Sequence, residues 1–114
     1  LIHPEYGLWH VYRAAFLFAA DVALPPRAET PSPCDGCVRK PCLTACPADA
    51  FRPDRFDAPA CAGHVESADG AACRDRGCLA RRACPVGRDY LYPPEQQAFH
   101  TAAMVRAVRG GFGE

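Results

Sequence analysis

The chain has 114 residues, and its 13 basic and 13 acidic side chains cancel to a formal net charge of zero at pH 7. Such a chain has no general electrostatic attraction to nucleic acid or to anionic membranes. A domain this small, with 12 prolines and nine glycines, builds only a small core, so its eight cysteines are expected to stabilise it as metal ligands or as disulfides.

The longest apolar run covers residues 14–20, which is shorter than the ~20 residues that a membrane-spanning helix needs. We therefore expect a cytoplasmic protein without a membrane span. The chain begins at Leu1, within a stretch typical of structured sequence, so we also expect an upstream portion.

Residues 1–24 contain a turn at residues 4–7, followed by side chains that are mostly apolar on both faces of residues 8–18. This pattern predicts a buried strand, with a helix at residues 9–20 as the alternative. A strand that is apolar on both faces must be covered on both, and the rest of the chain has too little strand sequence to do so. We therefore expect residues 1–24 to join the sheet of an upstream or partner domain, with Trp9 and Phe16 packed.

A linker is predicted at residues 25–33, where four of nine residues are proline. The cysteine module then covers residues 34–92, and residues 93–114 form a C-terminal helical segment. Its helix is predicted at residues 94–109, with Pro94 at the start and Gly110 just after the end. The expected packing face of this helix contains Ala98, Phe99, Ala102 and Val105.

The cysteines form two groups of four, and a proline follows the last cysteine of each group. The first group is Cys34, Cys37, Cys42 and Cys46, spaced C-x2-C-x4-C-x3-C and closed by Pro47. The second group is Cys61, Cys73, Cys78 and Cys84, closed by Pro85. Pro41 suits the first turn of a helix, which would place Cys42 and Cys46 on one helical face. An unbroken helix would separate Cys78 and Cys84 by about 240° around its axis.

Three kinds of chemistry compete for these thiols. Structural zinc sites usually show paired C-x2-C knuckles, and only one occurs here. Disulfides suit a small secreted domain but explain neither Cys-Pro closure. Iron–sulfur clusters account for the count, the grouping and both prolines. We interpret His64 and His100 as neighbouring or surface residues and not as ligands.

Residues 34–90, with these two Cys-Pro-closed groups, resemble the two-cluster bacterial-type ferredoxins. The resemblance implies an α+β fold, namely a small ferredoxin-like module of short helices and loops, with the predicted strand in addition. It also implies two 4Fe–4S clusters, in which the last cysteine of each group ligates the other group's cluster. The implied ligands are Cys34, Cys37, Cys42 and Cys84 for one cluster, and Cys46, Cys61, Cys73 and Cys78 for the other. The wider spacing within both groups departs from the family pattern.

A second resemblance lies in His3-Pro4-Glu5-Tyr6-Gly7-Leu8-Trp9, followed by Tyr12-Arg13. This segment is similar to one in epoxyqueuosine reductase and related cobalamin-processing reductases. There it belongs to a nitroreductase-like corrinoid-binding domain, which in epoxyqueuosine reductase precedes a two-cluster module. The resemblance implies that the chain is the C-terminal electron-delivery module of a reductase, whose corrinoid or flavin lies in an upstream or partner domain.

With eight cysteines as ligands, no iron keeps an open position, so we expect an electron carrier without catalytic residues of its own. The chain contains neither G-x-G-x-x-G nor a P-loop, so no nucleotide site is indicated. Five arginines lie around the second cysteine group: Arg74, Arg76, Arg81, Arg82 and Arg88. Three interpretations of these arginines remain open. They offset the negative charge of a thiolate-bound cluster, they form a solvent-exposed basic face, or they form the docking site of an acidic redox partner. The expected partner is a redox protein or an upstream catalytic domain.

Overall fold

The computed structural model describes residues 1–27 and 29–111. Ala28 of the predicted linker and residues 112–114 of the predicted C-terminal segment lie outside the described residues. Within them, five α-helices follow in chain order: α1 (Pro41–Thr44), α2 (Ala58–Glu66), α3 (Ala71–Arg76), α4 (Leu79–Ala83) and α5 (Pro94–Gly110). Short 3-10 turns occupy Ala68–Gly70 and Arg88–Tyr90. None of the described helices is long and apolar enough to cross a membrane.

The predicted N-terminal strand is absent from the described residues, and so is the alternative helix at residues 9–20. Backbone hydrogen bonds between His3 and Gly7 close the predicted turn as an isolated bridge. A strand needs a second strand beside it, and the rest of the described chain contributes only the isolated bridge between Phe51 and Phe56. Trp9 is buried, as predicted, whereas Phe16 is 82% exposed.

Residues 1–10 pack against the cysteine module. Gly7 and Gly87 both have positive φ, and a Cβ on either would collide with a backbone carbonyl of the other segment. Only glycine therefore permits this close approach. Tyr90 packs its ring edge-on against Tyr6 and donates a hydrogen bond to the Glu5 carboxylate. Residues 1–10 therefore contact the cysteine module directly. The assignment of residues 1–24 to an upstream domain stays a prediction.

Arg81 in α4 joins three separate segments of the chain. Its Nε donates a 2.6 Å hydrogen bond to the Leu8 carbonyl. Its guanidinium lies 4.7 Å from the centre of the Trp9 ring and 4.8 Å from that of Tyr92. The two rings lie edge-on to each other with their centres 5.5 Å apart, and the planar, delocalised charge of the guanidinium contacts both of them. Arg81 therefore holds the N-terminal segment in place as well as contributing positive charge near the second cysteine group.

Helix α5 forms as predicted, but a different face of it packs inward. Phe99 of the predicted face is 63% exposed, whereas Gln97 is buried and donates a 2.6 Å hydrogen bond to the Tyr92 carbonyl. Thr101 and Met104 continue the inward face at helical spacing and line a cavity that also contains cysteines. Through Thr101 and Met104, the inward face of α5 covers the cysteines that line this cavity.

We predict that Arg81→Lys lowers the free energy of unfolding by about 2 kcal/mol. Lysine lacks the planar guanidinium that contacts both rings while it donates to the Leu8 carbonyl, and the two losses together are of that order. Denaturant unfolding monitored by Trp9 fluorescence measures the change. Arg106→Lys, at an exposed position of α5, is the control and should cost less than ~0.5 kcal/mol. Equal effects of the two substitutions would contradict the role given to Arg81.

Candidate metal centre

The first set of thiols lines a small cavity of about 50 Å³ and consists of Cys34, Cys37, Cys42 and Cys84. Cys34 and Cys37 lie in one turn, where the Cys37 amide donates to the Cys34 carbonyl at 3.3 Å. Lys40, with left-handed backbone, precedes α1 and brings Cys42 into the first helical turn. Cys84 comes from the far end of α4.

Cys46 turns away from this cavity because α1 ends at Thr44. The predicted arrangement of Cys42 and Cys46 on one helical face is therefore wrong: the helix is only four residues long. Beyond it the backbone bends, and the amides of Asp49 and Ala50 donate to the carbonyl and the Sγ of Cys46, at 3.1 and 3.4 Å. This turn places Cys46 at a second cavity.

The second set of thiols lines a cavity of about 40 Å³ and consists of Cys46, Cys61, Cys73 and Cys78. Cys61 comes from α2, Cys73 from α3, and Cys78 caps the start of α4. The amide of Arg81 donates to Cys78 Sγ at 3.4 Å. Each thiol thus comes from a different element, so the second set forms only when the helices pack together.

The chain therefore brings together the two sets of four thiols that the ferredoxin resemblance implies as ligand sets. Cys78 and Cys84 stand at opposite ends of the five-residue helix α4 and line different cavities. Each Cys-Pro cysteine lies with the thiols of the other group, which is the exchange that the ferredoxin resemblance implies. That these thiols bind a cluster stays a prediction.

Burial and mutual proximity act on the thiols in the same direction. Burial, followed by the charges of Cys78, Cys46 and Cys73, raises the pKa of Cys61 to about 11. The pKa of Cys42 is also raised, by burial first and then by Cys84 and Cys34. Burial raises the pKa of Cys78 against the opposing effect of backbone hydrogen bonds. Four thiolates that are buried close together repel one another unless a cationic metal core offsets their charge. Because the thiols must lose their protons to bind such a core, binding releases protons.

The number and arrangement of the thiols bear on which metal core each set could hold. Among residues 1–27 and 29–111, no three His, Cys, Asp or Glu side chains are placed as ligands of a metal ion. A zinc site requires each sulfur at ~2.3 Å from one shared ion. In a cubane each thiolate binds its own iron at a corner, so the sulfurs surround a wider space. Both cavities exceed the ~10–15 Å³ that one water occupies, and each is lined by four thiols.

Several residues near the thiols were not predicted from the sequence. Thr101 and Met104 close the second cavity, and Ile2 and Leu8 close the first. The spacing of Thr101 and Met104 after Gln97 is helical and would have identified an inward face, whereas nothing in the pattern marks Ile2. His64 lines the second cavity beside the thiols, which is the neighbouring position expected for it.

We predict that Cys61 in the reduced, metal-free protein reacts slowly with iodoacetamide until the pH approaches about 11. The thiolate is the reacting form, and a raised pKa leaves little of it at lower pH. Quantitative peptide mass spectrometry after timed alkylation gives the rate at each pH. In denaturant the same thiol should titrate near ~8.5. Identical pH profiles in the folded and denatured chains would contradict the placement of Cys61.

Comparison of the chain with protein-family models, with curated proteins and with solved structures finds no match.

Proposed function

We propose that the chain carries electrons through two 4Fe–4S clusters. One is held by Cys34, Cys37, Cys42 and Cys84, and the other by Cys46, Cys61, Cys73 and Cys78. The observation that carries this proposal is the gathering of four thiols around each of two separate cavities. The proposed fold is correspondingly a ferredoxin-like dicluster module, and the proposed setting is the cytoplasm, where thiols stay reduced.

The surroundings of the thiols suit one-electron transfer. A bound cubane accepts and releases one electron, and the protein sets its potential through burial, charge and hydrogen bonds to sulfur. Backbone amides of Ala50 and Arg81 donate to Cys46 and Cys78 in the second set. These bonds stabilise negative charge on the sulfurs. With every ligand position filled by a thiolate, the chain's own residues hold and insulate the core without binding a substrate to iron.

Helix α4 sets the distance between the two sets. Its flanking cysteines, Cys78 and Cys84, are six residues apart, which corresponds to about 9 Å along a helix axis. Each of them belongs to a different set. The short helix therefore holds the two proposed clusters side by side, as passage of an electron from one to the other requires.

A second candidate is the electron-delivery module of a corrinoid- or flavin-dependent reductase similar to epoxyqueuosine reductase. Residues 11–24 favour it, because they expose Phe16 (82%), Leu17 (97%) and Phe18 (70%) close together. Contiguous exposed apolar side chains indicate an interaction site. In this reading a catalytic domain covers them and holds the corrinoid or flavin. The chain alone would then reduce artificial acceptors but neither an epoxide nor a corrinoid.

We predict about eight irons and eight acid-labile sulfides per chain after anaerobic purification. The protein should be brown, and its broad visible absorption should bleach with dithionite. Iron and sulfide assays, together with electron paramagnetic resonance of the reduced protein, test this. Stoichiometric zinc without sulfide would refute the proposal.

We also predict that the cysteines that cross between the groups matter more than the others. Cys34→Ser should leave about four irons, because it removes a ligand from one set only. Cys84→Ser should lose most of the iron, because it removes the thiol by which α4 is connected to the first set. Iron content and the thermal unfolding midpoint measure both effects, with Thr44→Ala, at an exposed position of α1, as the control. Retention of one intact cluster in Cys84→Ser would contradict this coupling.

A further inference from the structure

A wide concave surface of about 770 Å³ lies beside the first set of thiols. We name it the basic groove; Cys37, Val38, Arg39, Pro85 and Arg88 are among its lining residues. Cys37 also lines the cavity of the first set. One sulfur-bearing residue of that set thus forms part of both the cavity and the surface.

The charged side chains that line the groove are of one sign. Its lining includes Arg39 and Arg88 and no carboxylate. Next to the lining, Lys40 is exposed beside Arg39, and Asp35 and Asp89 are exposed beside Gly36 and Arg88, so the groove and its edge carry three cations and two carboxylates. The ion pairs of the described chain join Arg52 to Asp49, Arg74 to Asp75 and Arg109 to Glu66. The three cations at the groove are in none of these pairs.

The centre of the groove is apolar. Val38 is 94% exposed, and Pro85 is exposed beside Val86. An apolar centre with charged residues around it is typical of transient protein interfaces, and weak redox encounters use small ones. Because the chain has no net charge, it exerts no overall electrostatic attraction on a partner. A local basic patch then determines where an acidic partner binds.

The second set of thiols has a narrower approach from the surface than the first. Helices α2, α3, α4 and α5 all contribute to its surroundings, and Cys73 is buried. The second set is reached through a cavity of about 260 Å³, whose lining includes Cys61, Cys78 and Arg81. The basic groove is the wider of the two approaches, and its lining has two arginines where this cavity has one.

We propose that an acidic electron-transfer protein docks in the basic groove and exchanges one electron with the module through the first set of thiols. In the forward direction the partner is oxidised by one electron and the cluster held by Cys34, Cys37, Cys42 and Cys84 is reduced by one. This inference rests on the proposed electron-transfer function.

The test uses the anaerobically purified holoprotein and a reduced acidic flavodoxin as the probe. Stopped-flow absorbance follows cluster reduction. The wild-type rate constant should fall as ionic strength rises, and Arg39→Glu/Arg88→Glu should lower it about tenfold or more at low salt. The matched control is Arg76→Glu/Arg106→Glu, which changes the net charge equally at exposed positions of α3 and α5. Its effect should stay below about threefold.

A second readout does not depend on electron transfer. Lys40 is the only lysine of the chain, so carbodiimide cross-linking to flavodoxin carboxylates should give a product that peptide mapping places at Lys40. Lys40→Arg should abolish that product, because it removes the primary amine. A cross-link confined to the Leu1 amine would overturn the proposal.

The outcomes separate the two proposals. If dithionite still bleaches the clusters but both double variants accept electrons at the wild-type rate, the groove is not the docking site and the proposed function stands. If the protein holds no iron and sulfide, and Lys40 forms no cross-link, both proposals fail. If a short RNA duplex binds the groove and does not compete with flavodoxin, the groove serves nucleic acid and this inference is wrong.

Discussion

The structure depends on bringing eight thiols to two places with very little hydrophobic core to help. Among the described residues, the buried apolar side chains are Trp9, Ala50, Ala62, Val65, Cys73, Ala80 and Cys84. Most of these are small, so burial supplies little of the free energy of folding. The short helices and turns instead present cysteines at their ends. What occupies the two thiol cavities therefore decides how stable the packing around them is.

The parts of the fold that were predicted from the sequence are those set by local chemistry. Pro41 and Pro94 mark the starts of α1 and α5. The sets of thiols that line the two cavities are the ligand sets that the ferredoxin resemblance implied, in which Cys46 and Cys84 exchange places between the two sequence groups. The end of α1 was missed: the helix ends at Thr44, and the turn that follows Cys46 contains Asp49 with a positive φ. That conformation is unusual for a residue other than glycine, and surrounding contacts select it.

The failures concern contacts between distant segments. Side chains that are mostly apolar on both faces of residues 8–18 predicted a buried strand, yet a strand forms only beside another strand, and the local sequence does not reveal whether one exists. The contacts of Arg81 with Trp9 and Tyr92 join residues far apart in the chain, and no local sequence pattern predicts them. The packing face of α5 differs from the predicted one for the same reason: the thiol cavity selects Thr101 and Met104 over the more hydrophobic Phe99.

The shortness of α4 has a consequence for how the protein matures. A helix of five residues has almost no stability by itself, since isolated helices need roughly 12–15 residues to persist in water. Its ends, Cys78 and Cys84, belong to different sets, so the helix gains support only when both sets are assembled. We therefore expect α4 to form late in folding, after the segments that carry the other six thiols have come together.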